Sequence, residues 1–244
     1  MRKAESREQS ENRMPMTADE VYQDLLNRII RLELEPGQPI SENTMSAEYG
    51  VSRSVIRTAF TRLMQLRFVE ILPQRGTFVM PLDCSRISDI LMLRTAVEKE
   101  VLFEMFTNLN QDTRKDLLKQ LDRNMKEQKK YKDEKNYFGK FPSLDSEFHM
   151  IMINSVGRAS LMSLLHDDFL HLARWRNFDV AMDNRVPQLI GQHQDIVEAI
   201  RSENLSLAQQ KMAEHLDTIT LLGQKAMQRV PQYFRDWNGG KAGS

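Results

Sequence analysis

The sequence has little cysteine, no long apolar run and no net charge. Its 244 residues contain a single cysteine, Cys84, which excludes an intrachain disulfide and fits a reducing compartment such as the cytoplasm. No apolar run approaches the ~18 residues of a membrane helix, so we expect no membrane partner. The polar start, MRKAESREQSENR, lacks the apolar centre of a signal peptide. Basic and acidic residues balance at 34 each, so any surface for nucleic acid must be local.

The stretch that follows residue 40 has the pattern of two helices joined by a tight turn. Ser41 and Ser52 are suited to cap these helices, which are predicted over 42–49 and 53–66. Gly50, between them, can adopt a positive φ at low cost and end the first helix. Two helices this close together are typical of a helix-turn-helix.

Elements on both sides extend this motif. Short strands are predicted over 68–72 and 77–80, because turn residues at 73–76 separate two runs of β-forming residues. Upstream, Thr17 and Glu20 form a capping box, and apolar residues recur at helical spacing for about sixteen residues after it. The sequence therefore predicts a winged helix-turn-helix.

Positive charge is concentrated in this part of the chain. Residues 51–80 contain five arginines and one glutamate, a net +4 (five minus one). Arginine can bind guanine through two hydrogen bonds, and serine hydroxyls at a helix N-terminus suit phosphate. We predict that the second helix enters the major groove of double-stranded DNA, with an ordinary solvated arginine face as the alternative. The predicted DNA-binding residues are Ser52, Arg53, Ser54, Arg57, Arg75 and Gly76.

Residues 18–80 resemble the winged helix-turn-helix of the GntR family of bacterial transcription regulators. The matching residues are Glu35-Pro36-Gly37, Ile40, Val51-Ser52-Arg53-Ser54 and Gly76. Val55 replaces a frequent proline and Asn43 replaces an arginine of one branch, so the operator sequence cannot be carried over. The resemblance implies a homodimer on two-fold symmetric operator DNA.

The rest of the chain shows helical periods and no strand alternation. Six helices are predicted, marked by Ile87 to Met105, Leu117 to Met125, 141–156, 160–178, 187–202 and 205–229. Antiparallel helices of this length predict a bundle. The fold class is therefore mostly α, a winged helix-turn-helix followed by an antiparallel all-helical bundle. The expected organisation is a flexible arm at 1–13, the DNA-binding domain at 14–80, a linker at 81–85, the helical domain at 86–230 and a flexible tail at 231–244.

Four residues of the helical part combine into a candidate metal site. Asp145 and His149 are one helical turn apart on one face. His193 and His215 each lie eleven residues from a break near Asn204, so an antiparallel hairpin places both about 16 Å from the turn. Both have apolar neighbours, and buried imidazoles need partners. A divalent cation and ordinary hydrogen-bonded core histidines both fit this spacing.

The same residues resemble motifs of the FCD domain, the all-helical effector domain of the FadR branch of the GntR family. The matching elements are Asp145…Phe148-His149, His193…Ile196…Ala199-Ile200 and Ala208…Met212…His215. In many members an aspartate and three histidines bind a metal such as Zn²⁺ or Ni²⁺, and the resemblance implies the same ligands here. Such ligands also suit Mn²⁺ or Fe²⁺. Arg158 departs from the asparagine that usually follows the glycine at 157.

The resemblance further implies a small-molecule effector, because members commonly sense carboxylates. An organic acid could complete the coordination of the metal. Its other end could meet Arg94, Arg158, or one of Arg174 and Arg176, although each also fits a surface or ion-paired residue. We expect His166 and His171 on the surface.

The predicted function is a ligand-responsive transcription regulator rather than an enzyme. A metal-dependent enzyme using the Asp/His site is one alternative, but the sequence contains no nucleophile elbow, phosphate loop or other catalytic motif. The other alternative is a DNA-binding protein whose bundle only dimerises and holds a structural metal.

Overall fold

The computed structural model describes residues 16–134, 139–183, 185–217 and 228–235. The predicted arm at 1–13, the segment 218–227 and the last nine residues of the predicted tail lie outside these ranges. Contacts divide the chain into two compact units, 1–29 with 33–80 and 30–32 with 81–244. Within the described ranges, no helix combines the length and the apolar character that crossing a membrane requires.

The first unit is a winged helix-turn-helix. Its described elements are α1 (Ala18–Ile30), β1 (Pro39–Ile40), α2 (Glu42–Tyr49), α3 (Arg53–Gln65), β2 (Val69–Leu72) and β3 (Gly76–Val79). The three strands form an antiparallel sheet in the order β1-β3-β2. The hairpin was predicted, but β1 was missed, because two residues that include a proline show no alternation.

The predicted caps that start and end these helices are present. The Ser41 hydroxyl accepts a hydrogen bond from the Thr44 amide, and Ser52 accepts one from Val55. Gly50 has a φ of 65°, the left-handed conformation expected at the end of α2. At α1, the capping box is reciprocal, because Thr17 N–H donates to the Glu20 carboxylate and Glu20 N–H donates to the Thr17 hydroxyl. These local signals place the start of α3.

The second unit is a helical bundle. Its described helices are α4 (Cys84–Asn108), α5 (Gln111–Gln128), α6 (Phe141–Ser155), α7 (Ala159–Leu164), α8 (His166–Asp183), α9 (Val186–Arg201) and α10 (Leu205–Leu216). A core of buried apolar residues lies among α4, α5, α6, α9 and α10, and includes Leu102, Leu121, Phe148, Ile196 and Met212. Full burial of such a side chain contributes about 1.5–3 kcal/mol.

Three sequence-based boundaries in this unit need correction. The predicted helix over 160–178 is two helices that break at Leu165, and Asp167 and Asp168 stabilise the new start at α8 because acids favour a helix N-terminus. The predicted linker at 81–85 overlaps α4, which begins at Cys84 under an Asp83 cap. Residues 231–235, expected within a loose tail, bridge to Leu82.

Candidate metal centre and DNA-binding face

The structure brings together the four predicted metal ligands, and all four are buried. Asp145 and His149 project from neighbouring turns of α6, His193 comes from α9, and His215 comes from α10. One ligand atom from each residue lies within 4.8 Å of the other three. Helices that are distant in sequence therefore place three imidazoles and one carboxylate around a common point.

The Nε2 atoms of the three histidines face one another in this cluster. His215 Nε2 lies 3.2 Å from both His193 Nε2 and His149 Nε2. His193 Nε2 also lies 3.3 Å from Asp145 Oδ1. Each ring consequently turns its other nitrogen, Nδ1, away from the centre.

A chain of hydrogen bonds fixes the tautomer of His193. Its Nδ1 lies 2.8 Å from Gln128 Oε1, and Gln128 Nε2 donates to Asn124 Oδ1 over 2.6 Å. Asn124 Nδ2 donates to the Leu144 carbonyl and to the Glu147 carboxylate. These last two groups only accept hydrogen bonds, so the direction of the whole chain is set. The proton of neutral His193 is therefore on Nδ1, and Nε2 carries a lone pair.

His149 and His215 also have partners at Nδ1, a carboxylate for His149 and an amide for His215. His149 Nδ1 lies 2.5 Å from Glu98 Oε2, and His215 Nδ1 lies 3.2 Å from Gln192 Oε1. Burial raises the pKa of Glu98, but His149 and Arg94 outweigh this effect and bring the pKa to about 2. The ionised Glu98 carboxylate only accepts, so it also favours the proton on His149 Nδ1.

Burial keeps the imidazoles of His193 and His215 neutral. Desolvation lowers the pKa of His193 to about 3, although the Asp145 carboxylate acts in the opposite direction. Desolvation, with His193 and His149 nearby, also lowers the pKa of His215 well below its usual value. Neutral imidazole is the form of histidine that binds metal ions.

The result is a cluster of converging acceptors. When all three histidines carry their protons on Nδ1, as their outer partners favour, the three Nε2 lone pairs and the Asp145 carboxylate face one another without a hydrogen between them. Such groups repel unless a cation lies among them. Three imidazole nitrogens and one carboxylate oxygen are a suitable donor set for Zn²⁺ and related divalent ions, so the residues fit a metal ion.

A cavity of about 310 Å³ adjoins this cluster. Asp145 and His149 form part of its wall, together with Arg94 and Arg176. The apolar residues of the wall include Pro142, Met150, Phe169 and Leu172. This volume is at the small end of the range for ligand pockets, and the wall combines cations with apolar surface.

The candidate effector contacts are not all at this cavity. Arg94 lines it, but Arg174 does not, and Arg176, two positions later on α8, lines it instead. Arg174 is 1% exposed, and burial lowers its pKa to about 9. Arg158 also lies elsewhere, where its guanidinium bonds to the Glu104 carboxylate. His166, expected on the surface, is exposed and borders the cavity.

In the first unit, the predicted DNA-binding residues lie at the start of α3 and in the wing. Arg53 and Arg57 are 60% and 63% exposed and both contact Glu42, at the start of α2. Ser52 and Ser54 share a hydrogen bond between their hydroxyls. In the wing the predicted residues are Arg75, which is exposed, and Gly76, which has a φ of 108°.

Sequence reasoning missed Glu42 and Glu98. Glu42 precedes the arginine-rich stretch 51–80, and its carboxylate reaches arginines 11 and 15 positions later, so local charge gives no sign of the contact. Glu98 contacts a residue 51 positions away, and no local pattern connects the two. Its position one turn after Arg94 on α4 was the available signal.

Comparison with known proteins identifies both units. Residues 17–79 match the gntR family of bacterial regulatory proteins, and residues 89–218 match the FCD domain. Similar curated proteins include an uncharacterized HTH-type transcriptional regulator of Streptomyces ambofaciens, 28% identical over 212 residues that span 82% of each chain. The HTH-type transcriptional repressor RspR of Escherichia coli K12 is 23% identical over 218 residues, which span 89% of this chain and 92% of RspR.

Solved structures share the fold. E. coli McbR/YncC superposes with a TM-score of 0.56 at 16% identity, over 87% of this chain and 99% of that one. A putative transcriptional regulator GntR from Rhodococcus sp. RHA1 gives a TM-score of 0.57 at 20% identity, over 84% and 97%. The curated relatives are transcriptional regulators, which confirms the expectation that the chain is not an enzyme. The chain belongs to the GntR family of bacterial transcription regulators, with an N-terminal DNA-binding winged helix-turn-helix and a C-terminal FCD domain.

Proposed function

We propose that this regulator responds to a small organic acid, which it binds beside a divalent metal ion in the helical unit. The observation that carries the proposal is the cluster of converging acceptors. Asp145, His149, His193 and His215 are the proposed ligands. Buried lone pairs that face one another are unfavourable in themselves, and a bound cation turns this repulsion into coordination.

The metal is Zn²⁺ or Ni²⁺ in this proposal, with Mn²⁺ and Fe²⁺ as the other ions that the donor set accepts. A bound metal supplies a Lewis-acidic site for an additional oxygen ligand. The neighbouring cavity supports an acid of modest size, since Arg94 and Arg176 can attract its negative charge and apolar side chains can cover its carbon skeleton. Arg158 and Arg174, the other predicted effector-binding arginines, do not line this cavity, and the proposal gives them no direct contact with the acid.

In the first unit, we propose that α3 enters the major groove and that the wing contacts the backbone beside it. Ser52, Arg53, Ser54 and Arg57 are the proposed contacts of α3, and Arg75 with Gly76 those of the wing. The chain acts in the cytoplasm. It acts as a homodimer, because a two-fold symmetric operator presents two half-sites about 34 Å apart. The 14–80 and 86–230 segments are the proposed functional domains. The acid changes operator affinity by binding one dimer arrangement better than another.

The metal part is tested by elemental mass spectrometry on protein purified without an affinity tag or added metal. We expect close to one equivalent of metal in the wild type and in His166→Ala, an exposed histidine outside the cluster. His149→Ala and His215→Ala should lose the metal. A wild type that stays metal-free after incubation with each of the four ions overturns the metal site.

The acid part is tested by operator binding at fixed salt with a panel of small mono- and dicarboxylates. We expect at least one acid to shift the operator affinity of metal-loaded wild type and to have no effect on the metal-free protein. A metal-loaded protein that ignores the whole panel overturns the acid site. It favours instead a bundle that only dimerises around a structural metal.

A further inference from the structure

Glu98 contacts two groups, the outer nitrogen of a histidine in the Asp/His cluster and an arginine of the cavity wall. Its carboxylate is 2% exposed and lies on α4. Oε2 accepts from His149 Nδ1 over 2.5 Å, and Oε1 accepts from Arg94 Nε over 2.6 Å. Arg94 is itself a wall residue of the 310 Å³ cavity. Arg94 and Glu98 thus form a second link between the cavity and His149, which also lines the cavity itself.

The outer partners of the three histidines are not equivalent. His193 and His215 meet neutral amide oxygens, at 2.8 Å and 3.2 Å, whereas His149 meets a carboxylate at 2.5 Å. A carboxylate on Nδ1 both orients the ring and makes Nε2 a stronger donor to a metal. His149 is therefore the ligand whose donor strength depends most on its surroundings.

The arrangement is also unusual for a plain structural ion pair. A buried carboxylate needs cations or hydrogen-bond donors nearby, and Arg94 supplies one of them. The second oxygen accepts a hydrogen bond from His149 Nδ1, and an imidazole compensates a negative charge better when its Nε2 holds a cation. Glu98 is consequently best stabilised when the cluster contains a metal.

We propose that Glu98 positions His149 as a metal ligand and, through Arg94, connects the metal centre to the cavity wall. This inference rests on the metal site proposed above. Arg94 shares the charge of Glu98, so an anion that attracts Arg94 in the cavity leaves more negative charge on the carboxylate behind His149. Metal binding and anion binding are thereby coupled, and the coupling acts equally in both directions.

The test uses Co²⁺ alone as the probe, since its visible absorption reports on the coordinating atoms. Full-length wild type, Glu98→Gln and Glu100→Gln are compared for Co²⁺ affinity by chelator competition, for the Co²⁺ spectrum and for the unfolding midpoint without metal. Glu100 is the matched control, because it is exposed on the same helix. Arg94→Gln is included because it removes the positive charge that is paired with Glu98.

We expect Glu98→Gln to bind Co²⁺ roughly 10- to 100-fold more weakly, the usual effect of losing an outer partner, and to shift its absorption bands. Glu100→Gln should match the wild type. Arg94→Gln should bind Co²⁺ at least as tightly as the wild type, because a buried cation near the metal is gone.

Two outcomes overturn the inference separately from its foundation. If the wild type binds Co²⁺ and Glu98→Gln binds it with the same affinity and spectrum, Glu98 has only a structural role. If Glu98→Gln and Arg94→Gln weaken Co²⁺ binding equally, in step with their unfolding midpoints, the pair supports the fold and not the ligand. A wild type that fails to bind Co²⁺ overturns the metal site itself.

Discussion

Arg57 donates two hydrogen bonds to the carboxylate of Glu42, from Nε to Oε1 and from Nη2 to Oε2, each 2.9 Å long. Arg53 Nη2 donates to the same carboxylate over 3.2 Å. We propose that these arginines enter the major groove. An arginine that binds guanine through two hydrogen bonds uses the same guanidinium N–H donors that here bond to Glu42. In this proposal Glu42 and DNA compete for the two arginines.

Replacing Glu42 tests this competition. We expect Glu42→Gln to strengthen binding to DNA of unrelated sequence by roughly two- to five-fold, because the mutation frees the arginines and removes a negative charge from the DNA-facing surface. Glu48→Gln, on the same helix, should have a smaller effect. Fluorescence anisotropy at several salt concentrations provides the measurement. Weaker binding by Glu42→Gln would show that the carboxylate orients the arginines for DNA instead of withholding them.

The arginines themselves should separate DNA binding from metal binding. Arg57→Ala should weaken operator binding and reduce the slope of log affinity against log salt by about one, since one phosphate or base contact is lost. Its metal content should equal that of the wild type, because Arg57 lies in the other unit. Lys119→Ala, an exposed change in the helical unit, is the control. An unchanged affinity would contradict the proposed docking of α3.

The winged unit could be predicted almost completely from sequence, because its signals are local. Ser41, Gly50 and Ser52 each act on backbone groups within five residues. The strand at Pro39–Ile40 could not, since its pairing with β3 joins segments 37 to 39 positions apart, as the register of Pro39 with Phe78 shows. The break at Leu165 was equally hidden, because apolar spacing continues across it.

The four residues of the buried Asp/His cluster could be predicted from sequence, but their surroundings could not. Asp145 and His149 share a helix face. His193 and His215 are equally far from the turn between their helices, which predicts that both lie at the same level of the bundle. Gln128 carried no such signal: it reads as part of a polar run, yet it is fully buried against His193, 65 positions away. Tertiary packing alone decides such contacts.

Gln128 should matter for both stability and metal binding. In Gln128→Leu, the Nδ1–H of His193 and the Oδ1 of Asn124 lose their partners inside the bundle. Each buried unsatisfied group costs about 1–3 kcal/mol, so with two such groups we expect the unfolding free energy to fall by about 2–6 kcal/mol. Gln120→Leu, an exposed change on the same helix, should be nearly neutral. Urea titration measures the difference, and equal midpoints for the two variants would refute the hydrogen-bond chain.

Stability of the metal-free protein should depend on pH through the buried histidines. In the folded state burial lowers the pKa of His193 to about 3 and that of His215 well below its usual value. Below about pH 6.5 the unfolded chain therefore binds more protons than the folded one, so unfolding free energy falls as the pH falls. We expect a decline between pH 6.5 and 5, before most carboxylates titrate. The measurement is urea titration in EDTA, and His193→Gln should give a shallower decline.

A stability that stays constant over this pH range would contradict the burial of neutral imidazoles. A decline of the same slope in His193→Gln would assign it to other groups.

An arginine of the cavity wall should be needed for the proposed response to an organic acid. Arg176→Gln should weaken the effect of an active acid on operator affinity by about tenfold or more, because a buried cation in the wall is lost. Arg158→Gln should keep the response, since its guanidinium bonds to Glu104 away from this cavity. Operator binding across an acid titration compares the two. A lost response in Arg158→Gln alone would place the acid elsewhere.

The hydrogen-bond chain that orients His193 ends on two acceptors, the Glu147 carboxylate and the main-chain carbonyl of Leu144, one residue before the proposed ligand Asp145. Every amino acid has this main-chain carbonyl, so no substitution at position 144 removes the hydrogen-bond acceptor. Mutation there can alter packing only. One of the two acceptors that set the proton of His193 is therefore supplied by the backbone, and substitutions at position 144 preserve it as long as α6 keeps its place.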